Sequence, residues 1–438
     1  MKYDGYWWRK IKTAPYYILA RFYEAKMEAS LKNREKILKQ STSNLKKLIK
    51  KSLMKSEIYR KNFLNLKGKN LEHYFLNLPI LSKEMLQISE FSTIATKSVK
   101  VMTRYSTSGS TGKPLSVYRT NRERMYNAIT WERGYKLNGY NPTRKKKKLF
   151  RYLRKIDLNN ANREDIKEIP LSQNIDNVVS ELVTFSPNII ETYPSDLFIL
   201  SKFIVSNHIK ISSVEKIFTH SEMLPNYIRS IAIQAFGAEV IDLYGAAETG
   251  CIAYQCPLTP SHYHVNQDLV KLEVLDSQGV VRNYGRGELI VTNLYCYGYP
   301  LARYRLGDIV ELVENLNSCD ISYDIIKIIE GKTYDFIVSR SGTVISPHIL
   351  KELIGSSNIF KDFRLVSYDD FKLVIEFSRN DSLTTNEISY GLSVLRKSIC
   401  KEINWQQDDI IFKEVTQIEH DVSNKFKSIV RINNHWVE

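Results

Sequence analysis

Apolar residues recur at two different spacings along the chain, and the change between them divides it into regions. Through residues 11–27 and 45–66 the spacing is that of an amphipathic helix, with basic residues between the apolar ones. From about residue 100, short apolar runs alternate with helical stretches and glycine-containing turns, which is typical of an α/β fold built on a sheet. We therefore expect residues 1–100 to be mostly helical and the rest of the chain to be mixed α/β.

Individual elements follow from the same patterns. Strands are predicted at 188–192, 216–219, 240–244, 288–293 and 371–378, and helices at 195–205, 225–236 and 386–403. The chain has 438 residues, more than one compact core accommodates. Because a short polar segment follows residue 330, we expect a large domain over 1–330 and a small α+β domain over 331–438.

Charge is distributed unevenly between the two ends of the chain. Residues 1–158 hold 37 Lys and Arg against 11 Asp and Glu, a net charge of +26, whereas the whole chain carries +15. A first third of the chain this basic favours an anionic partner, such as a lipid surface, an acidic glycan or nucleic acid. A lysine-rich composition of solvated helices is the alternative. The sequence contains no recognised nucleic-acid-binding module, so no nucleic-acid partner is expected.

Targeting signals and cysteines bear on the compartment. No apolar run reaches the roughly 18–20 residues of a membrane-spanning helix, and the start lacks the features of a signal peptide. The five cysteines form no regular framework, which favours reduced thiols in a cytoplasmic protein. Trp7, Trp8 and the basic segment 144–155 also suit a peripheral position on the inner face of the membrane.

The first chemical motif is the run from Tyr105 to Pro114, in which small hydroxyl residues alternate with glycines and Lys113 closes the run. Such a loop offers backbone N–H groups, hydroxyls and an ammonium group to phosphate oxygens. It lacks the spacing of a Walker A motif. A flexible linker is the alternative interpretation.

Three further motifs follow, each weak by itself. In 242–249 a strand runs into a turn that carries Tyr244, suited to stacking on a base, and Glu248, suited to holding Mg²⁺. The segments 287–292 and 300–308 end in Asp308, whose carboxylate suits the two hydroxyls of a ribose. The segment 330–337 is typical of a connector between two sheet regions.

In their order and spacing these four motifs resemble the adenylate-forming superfamily of acyl-CoA synthetases, peptide-synthetase adenylation domains and luciferases. Within it the chain is most similar to the phenylacetate–CoA ligase-like branch, which includes capsular-polysaccharide biosynthesis members. Tyr193–Ser195 and Ser221–Leu224 also resemble that branch. The resemblance covers nearly the whole chain and implies a large domain followed by a small domain that swivels.

The resemblance also implies site residues. The ATP phosphates would be held by Thr107, Ser108, Gly109, Ser110, Thr111, Gly112 and Lys113. The rest of the nucleotide site would comprise Ser221, Glu222, Tyr244, Gly245, Ala246, Asp308 and Lys332, with Mg²⁺ on Glu248. The catalytic lysine would be Lys425, with Lys427 as a substitute because Asn424 replaces the usual glycine. A substrate pocket would involve Tyr193, Ser195 and His220.

The reaction implied is activation of a small carboxylic acid by ATP to an acyl-AMP, followed by transfer to an acceptor. Lys425, Lys113 and Glu248 would offset the repulsion between carboxylate and triphosphate. Two acceptors are open: an amine, which would give an amide on a surface polysaccharide or a lipid-linked glycan precursor, and the thiol of coenzyme A. The alternative of another class is an inactive basic scaffold bound to membrane or nucleic acid. Structural zinc, which some relatives hold near Cys256, His262, His264 and Cys319, is not expected, because no closely spaced cysteine pair is present.

Overall fold

The fold is described here from a computed structural model. It describes residues 15–61, 71–106, 115–142, 147–153, 164–170, 173–315, 319–332, 337–338, 344–345, 347–368, 372–403, 406–416, 418 and 429–432. These residues fall into two compact units. The first draws on Met1–Tyr193, Ile211–Glu222 and Ala238–Ile329, and the second on Pro194–Lys210, Met223–Gly237 and Glu330–Glu438. The boundary at residue 330 stays a prediction.

Helices dominate the beginning of the described chain, as the apolar spacing predicts. Those of the first unit are α1 (Pro15–Glu28), α2 (Arg34–Leu48), α3 (Glu57–Arg60), α4 (Leu71–Leu76), α5 (Lys83–Ile88), α6 (Phe91–Ile94), α7 (Asn121–Leu137) and α8 (Ile175–Phe185). A π-helical turn, Ile49–Leu53, extends α2, and a 3₁₀ turn spans Val99–Val101. None of the helices in the described part of the chain combines the length and apolar character needed to cross a bilayer.

The strands of the first unit form a small hairpin and one large sheet. They are β1 (Met102–Ser106), β2 (Ser116–Thr120), β3 (Leu149–Leu153), β4 (Ile166–Pro170), β5 (Ile189–Thr192), β6 (Lys216–His220), β7 (Glu239–Ala246), β8 (Gly250–Gln255), β9 (Tyr263–Val265), β10 (Val270–Leu275), β11 (Val281–Arg282), β12 (Gly285–Asn293), β13 (Tyr304–Val313) and β14 (Ile325–Lys332). Among the described residues the large sheet has the order β11-β10-β12-β13-β14-β9-β8-β7-β6-β5-β3-β4.

The large sheet changes from parallel to antiparallel pairing at β7. Strands β4, β3, β5, β6 and β7 pair parallel, whereas β8 pairs antiparallel with β7. Parallel strands are covered on both faces and are therefore apolar along their length, which is why the runs at 188–192, 216–219 and 240–244 were recognisable in the sequence. The predicted α/β fold class is confirmed.

Local signals fix where α7 begins. Thr120 accepts a hydrogen bond from the backbone N–H of Glu123, and the Glu123 carboxylate accepts one from the N–H of Thr120, which is a capping box. The other oxygen of Glu123 accepts from the N–H groups of Tyr297 and Gly298, at 2.7 Å each. The cap thereby ties the start of α7 to the segment that leads into β13.

The second unit is built on a four-stranded sheet. Its helices are α9 (Pro194–Ser206), α10 (Asn226–Phe236), α11 (Pro347–Ser356) and α12 (Thr385–Ile403), with a 3₁₀ turn at Gln407–Asp409. Its strands are β15 (Ile337–Val338), β16 (Val344–Ile345), β17 (Phe360–Tyr368), β18 (Leu373–Arg379), β19 (Ile410–Glu414) and β20 (Ile429–Ile432). The sheet order is β19-β18-β17-β20, with β15 and β16 paired separately. Leu365, Leu373 and Ile375 lie at its core, fully buried.

Candidate functional site

The candidate site lies where three neighbouring parallel strands end. Thr192 of β5 pairs with Thr219 of β6, and His220 pairs with Leu243 of β7. Tyr193 and Ser221 follow the ends of β5 and β6 at this edge of the sheet, and Tyr244 is the next residue of β7, where it still pairs with Ala253 of β8. In α/β sheets ligands bind outside the carboxyl ends of parallel strands, at a point where the sheet topology changes. Here that point is β7, the last parallel strand.

Tyr244 and Asp308 meet at this edge. The Tyr244 hydroxyl donates to a carboxylate oxygen of Asp308 at 2.6 Å, although the two residues are 64 positions apart in the chain. Asp308 is 7% exposed and follows Gly307, whose φ of +93° strongly favours glycine. Burial, and then the Asp308 carboxylate, raise the pKa of Tyr244 well above its usual value. The phenol therefore stays protonated and remains a donor.

The buried carboxylate of Asp242, two residues before Tyr244 in β7, links neighbouring strands by hydrogen bonds. Asp242 accepts from the Thr219 hydroxyl at 2.8 Å and from the Tyr263 hydroxyl at 3.0 Å. The backbone N–H of Asp242 donates to Gln255 at 2.8 Å. Strands β6, β7, β8 and β9 are thus joined by one set of side-chain hydrogen bonds, which holds Tyr244 in register.

The turn after β7 presents Glu248. Arg119 donates to the backbone carbonyls of Ala247 and Glu248 at 2.7 and 3.0 Å. The half-buried Glu248 carboxylate accepts from the Tyr304 hydroxyl at 3.4 Å. The turn also needs Gly245, because a Cβ there would lie 2.4 Å from the carbonyl oxygen of Gly250. The carboxylate is therefore displayed by a rigid, backbone-clamped turn.

His220 lies at the end of β6 in an aromatic and charged setting. Its ring is edge-on to Tyr193 and to Trp131, with centroids 5.2 and 5.6 Å away. Nδ1 lies 2.9 Å from the Ser221 hydroxyl and Nε2 lies 3.3 Å from Glu191. Ser221 has a φ of +70°, a strained value that costs a non-glycine residue about 1–3 kcal/mol and is often found at functional sites.

A chain of charges continues from His220 into the sheet. Glu191 accepts two hydrogen bonds from Arg151, at 3.1 and 3.2 Å, and Arg151 also donates to Glu168 at 2.6 Å. Burial raises the pKa of Glu191, but the charges of Arg151 and His220 outweigh it and hold that pKa at about 2. Arg151 belongs to the basic segment 144–155 that was predicted to suit a membrane surface, but it is buried in β3 at 5% exposed, which corrects that prediction for this residue. Glu168 and Glu191 were not predicted. Charged residues within the otherwise apolar strands β3 and β5 were the signal, since a charge buried in such strands needs a partner.

Comparison with known proteins bears on the fold that carries this site. No family model matches the chain. Protein CapK of Staphylococcus aureus is 28% identical over 356 residues, which cover 76% of this chain and 72% of that protein. The structure of 2-hydroxyisobutyryl-CoA ligase in the postadenylation state, in complex with R3-HIB-AMP, superposes with a TM-score of 0.73 at 16% identity, covering 91% of this chain and 89% of that one. The chain has the fold of the adenylate-forming enzymes.

A second structural neighbour is named for the formation of amide bonds. The amide bond synthetase McbA from Marinactinospora thermotolerans superposes with a TM-score of 0.51 at 14% identity, covering 70% of this chain and 64% of that one. The resemblance stated from the motifs is therefore confirmed. At these identities the solved structures establish the fold, while CapK supports the capsular branch.

Several residues of the predicted nucleotide site lie outside the described part of the chain. The loop from Thr107 to Lys113 and both candidate lysines, Lys425 and Lys427, lie outside the described residues. Lys332 is the last residue of β14, and its side chain is likewise outside the description. Ser195 lies in α9 of the second unit, and the half-buried Glu222 follows Ser221. The roles of all these residues stay predictions.

A separate group of residues in the first unit has the side chains of metal ligands. One ligand atom each of Cys256, His264 and Cys319 lies within 4.8 Å of the others, and the Cys319 sulfur is 3.1 Å from Nε2 of His264. Burial lowers the pKa of His264 to about 4, so the imidazole is neutral at pH 7. Two thiols and a neutral imidazole are a donor set that zinc accepts. His262, considered with them from the sequence, is not one of the three.

Proposed function

We propose that this protein activates a small carboxylic acid with ATP and then passes the acyl group to an acceptor. In the first step a carboxylate oxygen bonds to the α-phosphorus of ATP and pyrophosphate leaves, which gives an acyl-AMP. In the second step the acceptor attacks the acyl carbon and AMP leaves. The observation that carries this proposal is the contact of Tyr244 with Asp308 at the carboxyl edge of the parallel strands.

The proposed nucleotide site uses this pair. The Tyr244 ring would stack on adenine, while its hydroxyl orients the Asp308 carboxylate towards the two ribose hydroxyls. Hydrogen bonds from neutral donors to a charged acceptor contribute about 1.5–3 kcal/mol. A ribose placed by such bonds would lie beside the turn that carries Glu248, which agrees with a triphosphate running towards that turn.

Glu248 suits a magnesium ion. Its carboxylate is a hard oxygen ligand on a turn fixed by Arg119, and Mg²⁺ is usually bound by one or two carboxylates together with phosphate oxygens. When bound, the ion would neutralise charge that develops on the phosphates. The residues of the loop from Thr107 to Lys113, together with Lys425, are proposed to supply the remaining positive charge.

The proposed carboxylic-acid pocket contains Tyr193 and His220. Both are buried, at 6% and 3% exposed, and Trp131 closes the aromatic set around His220. The link from His220 to Glu191 and Arg151 fixes the orientation of the imidazole. The Ser221 hydroxyl, which lies 2.9 Å from Nδ1 of His220, would then bind the acid with its orientation set by the imidazole, and Ser195 stays a predicted member of the pocket.

For the acceptor we propose an amine, so that the product is an amide on a surface polysaccharide or its precursor. Support comes from the similarity to CapK and from the fold shared with an amide bond synthetase. Coenzyme A, giving a thioester, is the second candidate, favoured by the fold shared with 2-hydroxyisobutyryl-CoA ligase.

Carboxylate-dependent ATP–pyrophosphate exchange tests the first step. We expect exchange with one member of a panel of aryl acids, uronic acids and amino acids, and its loss in Asp308→Ala. Mass spectrometry after addition of amines or coenzyme A then identifies the acceptor. A folded protein that binds ATP but supports exchange with no acid would contradict the ligase and favour the inactive basic scaffold.

A further inference from the structure

The described helices at the start of the chain carry a lysine groove that the proposed reaction does not use. It has a volume of about 390 Å³ and is lined by Lys39, Thr42, Ser43, Lys46, Lys47, Lys50 and Lys51. All five lysines are exposed, and the two hydroxyl residues between them are half-buried. Of the described residues that line this groove, none is acidic. It therefore combines cationic groups and hydroxyls, as a phosphate-binding surface does.

Helical spacing places the groove opposite the core. Lys39, Ser43, Lys46 and Lys50 are three or four positions apart, so they share one face of α2 and its π-helical extension. Leu45, Leu48 and Ile49 occupy the other face and are at most 5% exposed. The lysine groove consequently faces away from the protein interior.

Helix α1 presents a different surface beside it. Ile18 and Phe22 are one turn apart and are 70% and 72% exposed, and Ala25, a turn further, is exposed as well. Leaving two large apolar side chains in water forgoes the free energy that their burial would contribute to stability. An exposed apolar face next to a basic one is typical of segments that lie on a membrane surface.

The two helices are both anchored to one buried residue, Asp268. Tyr23 of α1 donates to the Asp268 carboxylate at 3.1 Å, and Asn44 of α2 donates to the Asp268 carbonyl at 2.8 Å. Arg133 pairs with the same carboxylate at 2.7 Å. Three residues later in α1, Lys26 donates to Gln40, which precedes Asn44 by one turn of α2. The order of these contacts is reversed between the two helices, which indicates that they run antiparallel and brings Phe22, the neighbour of Tyr23, towards the stretch of α2 that carries Asn44.

We propose that the outer face of α1 and α2 binds the surface of an anionic lipid bilayer. The lysine groove would receive the phosphate-bearing headgroups, and Ile18 and Phe22 would enter the interface between headgroups and acyl chains. Nucleic acid would satisfy the lysines but would leave both apolar side chains in water, so the combination favours lipid. This surface is separate from the Tyr244–Asp308 site, and the inference does not depend on the proposed reaction.

Vesicle flotation of the full chain tests this inference. The groove variant is Lys39→Gln with Lys46→Gln and Lys50→Gln, and the apolar variant is Ile18→Ser with Phe22→Ser. A control variant, Lys210→Gln with Lys397→Gln and Lys401→Gln, removes the same charge from exposed positions of the second unit. We expect the wild type and the control to float with phosphatidylglycerol-containing vesicles and not with phosphatidylcholine alone.

The expected differences follow from the two kinds of contact. Each lysine near an anionic surface strengthens binding roughly fivefold, so the groove variant should partition at least about tenfold more weakly and the wild type should release as salt rises. The apolar variant should bind more weakly at high salt as well. Circular dichroism of every variant establishes that it is folded. Equal flotation of groove and control variants, or preference of the wild type for a single-stranded RNA oligonucleotide over the vesicles, would overturn the proposal.

Discussion

Buried charged residues lie behind the ends of the parallel strands and contact His220 through Glu191. Arg151 and Glu191 sit in neighbouring strands β3 and β5, where their side chains are buried and each requires the other. Removing one partner of such a pair leaves an uncompensated charge, which costs more than the pair contributes. At the scale of single residues, the orientation of His220 therefore depends on charges that lie behind it.

Glu191→Gln tests this dependence through pH. Its pKa of about 2 lies below the ordinary carboxyl value, so its contribution to stability is fully present above that ordinary value, about 4.3. The contribution is lost as pH falls towards 2. We expect the variant to be about 2 kcal/mol less stable in urea unfolding at pH 7, with the difference shrinking below pH 4. Glu239→Gln, at an exposed strand position, should show no such convergence.

Tyr244→Phe tests the nucleotide site. The change keeps the ring for stacking and removes only the donor to Asp308, so we expect KM for ATP in the exchange reaction to rise up to about tenfold. Tyr284→Phe is a matched control, because Tyr284 also donates to a carboxylate, that of Asp324 at 3.1 Å. An equal effect of the two substitutions on KM would show that the Tyr244 hydroxyl has no special place in ATP binding.

At the scale of elements, turns and strand pairs bring together residues that are distant in the chain. The antiparallel pairing of β9 with β14 sets Ile325 opposite His264, which carries Cys319 to the two ligands near β9. The expectation against zinc rested on the absence of closely spaced cysteines, and that criterion does not detect ligands supplied by paired strands.

Metal analysis addresses this cluster. We expect metal-free protein to bind zinc, with cobalt substitution giving the absorption of thiolate-to-cobalt charge transfer. Cys319→Ser should weaken binding at least about tenfold, since each ligand fixes part of the coordination geometry. Cys400→Ser removes a thiol from the second unit and should leave it unchanged. Absence of the thiolate band from cobalt-loaded wild type would rule out the three-ligand site.

The turn that carries Glu248 gives a second element-scale prediction. Gly245→Ala would place a Cβ 2.4 Å from a backbone oxygen, a clash with a group that cannot move aside. We expect loss of ATP–pyrophosphate exchange and destabilisation of about 2 kcal/mol or more. Gly279→Ala has open space but a φ of +76°, so it should cost only about 1–2 kcal/mol and leave exchange intact. Normal exchange by Gly245→Ala would contradict the rigid turn.

At the scale of the whole molecule, sequence patterns predicted elements better than they predicted partners. Strands β5, β6 and β7 were recognisable in the sequence because both of their faces are buried. Tyr244 and Asp308 were recognisable because each belongs to a short local motif. The resemblance to the adenylate-forming superfamily then implied that Tyr244 and Asp308 belong to one nucleotide site. Nothing local indicated that Asp268 anchors α1 and α2, or that Cys319 joins His264, because each contact spans more than 50 residues and is created by the sheet order.

The composition of the second unit also depends on distant contacts. Lys202 of α9 donates to the Phe360 carbonyl at 2.5 Å, and the backbone of Asn226 in α10 donates to Glu352 of α11 at 2.9 Å. Burial lowers the pKa of Lys202 to about 8, so it is still protonated at pH 7 and acts as a donor. Helices α9 and α10 thus contact residues of the segment 330–438, although both helices lie within the first 330 residues of the chain.

Hydrogen exchange in rising urea can show whether this unit opens cooperatively. If it does, amides of α9 and α10 should become exposed together with those of β18 and α12, because contiguous packing defines the opening unit. Lys202→Ala should lower the midpoint of all four elements, whereas Lys210→Ala, at an exposed position, should not. Exposure of α9 and α10 with β5 and β6 instead would mean that the chain divides at residue 330, as the sequence pattern predicted.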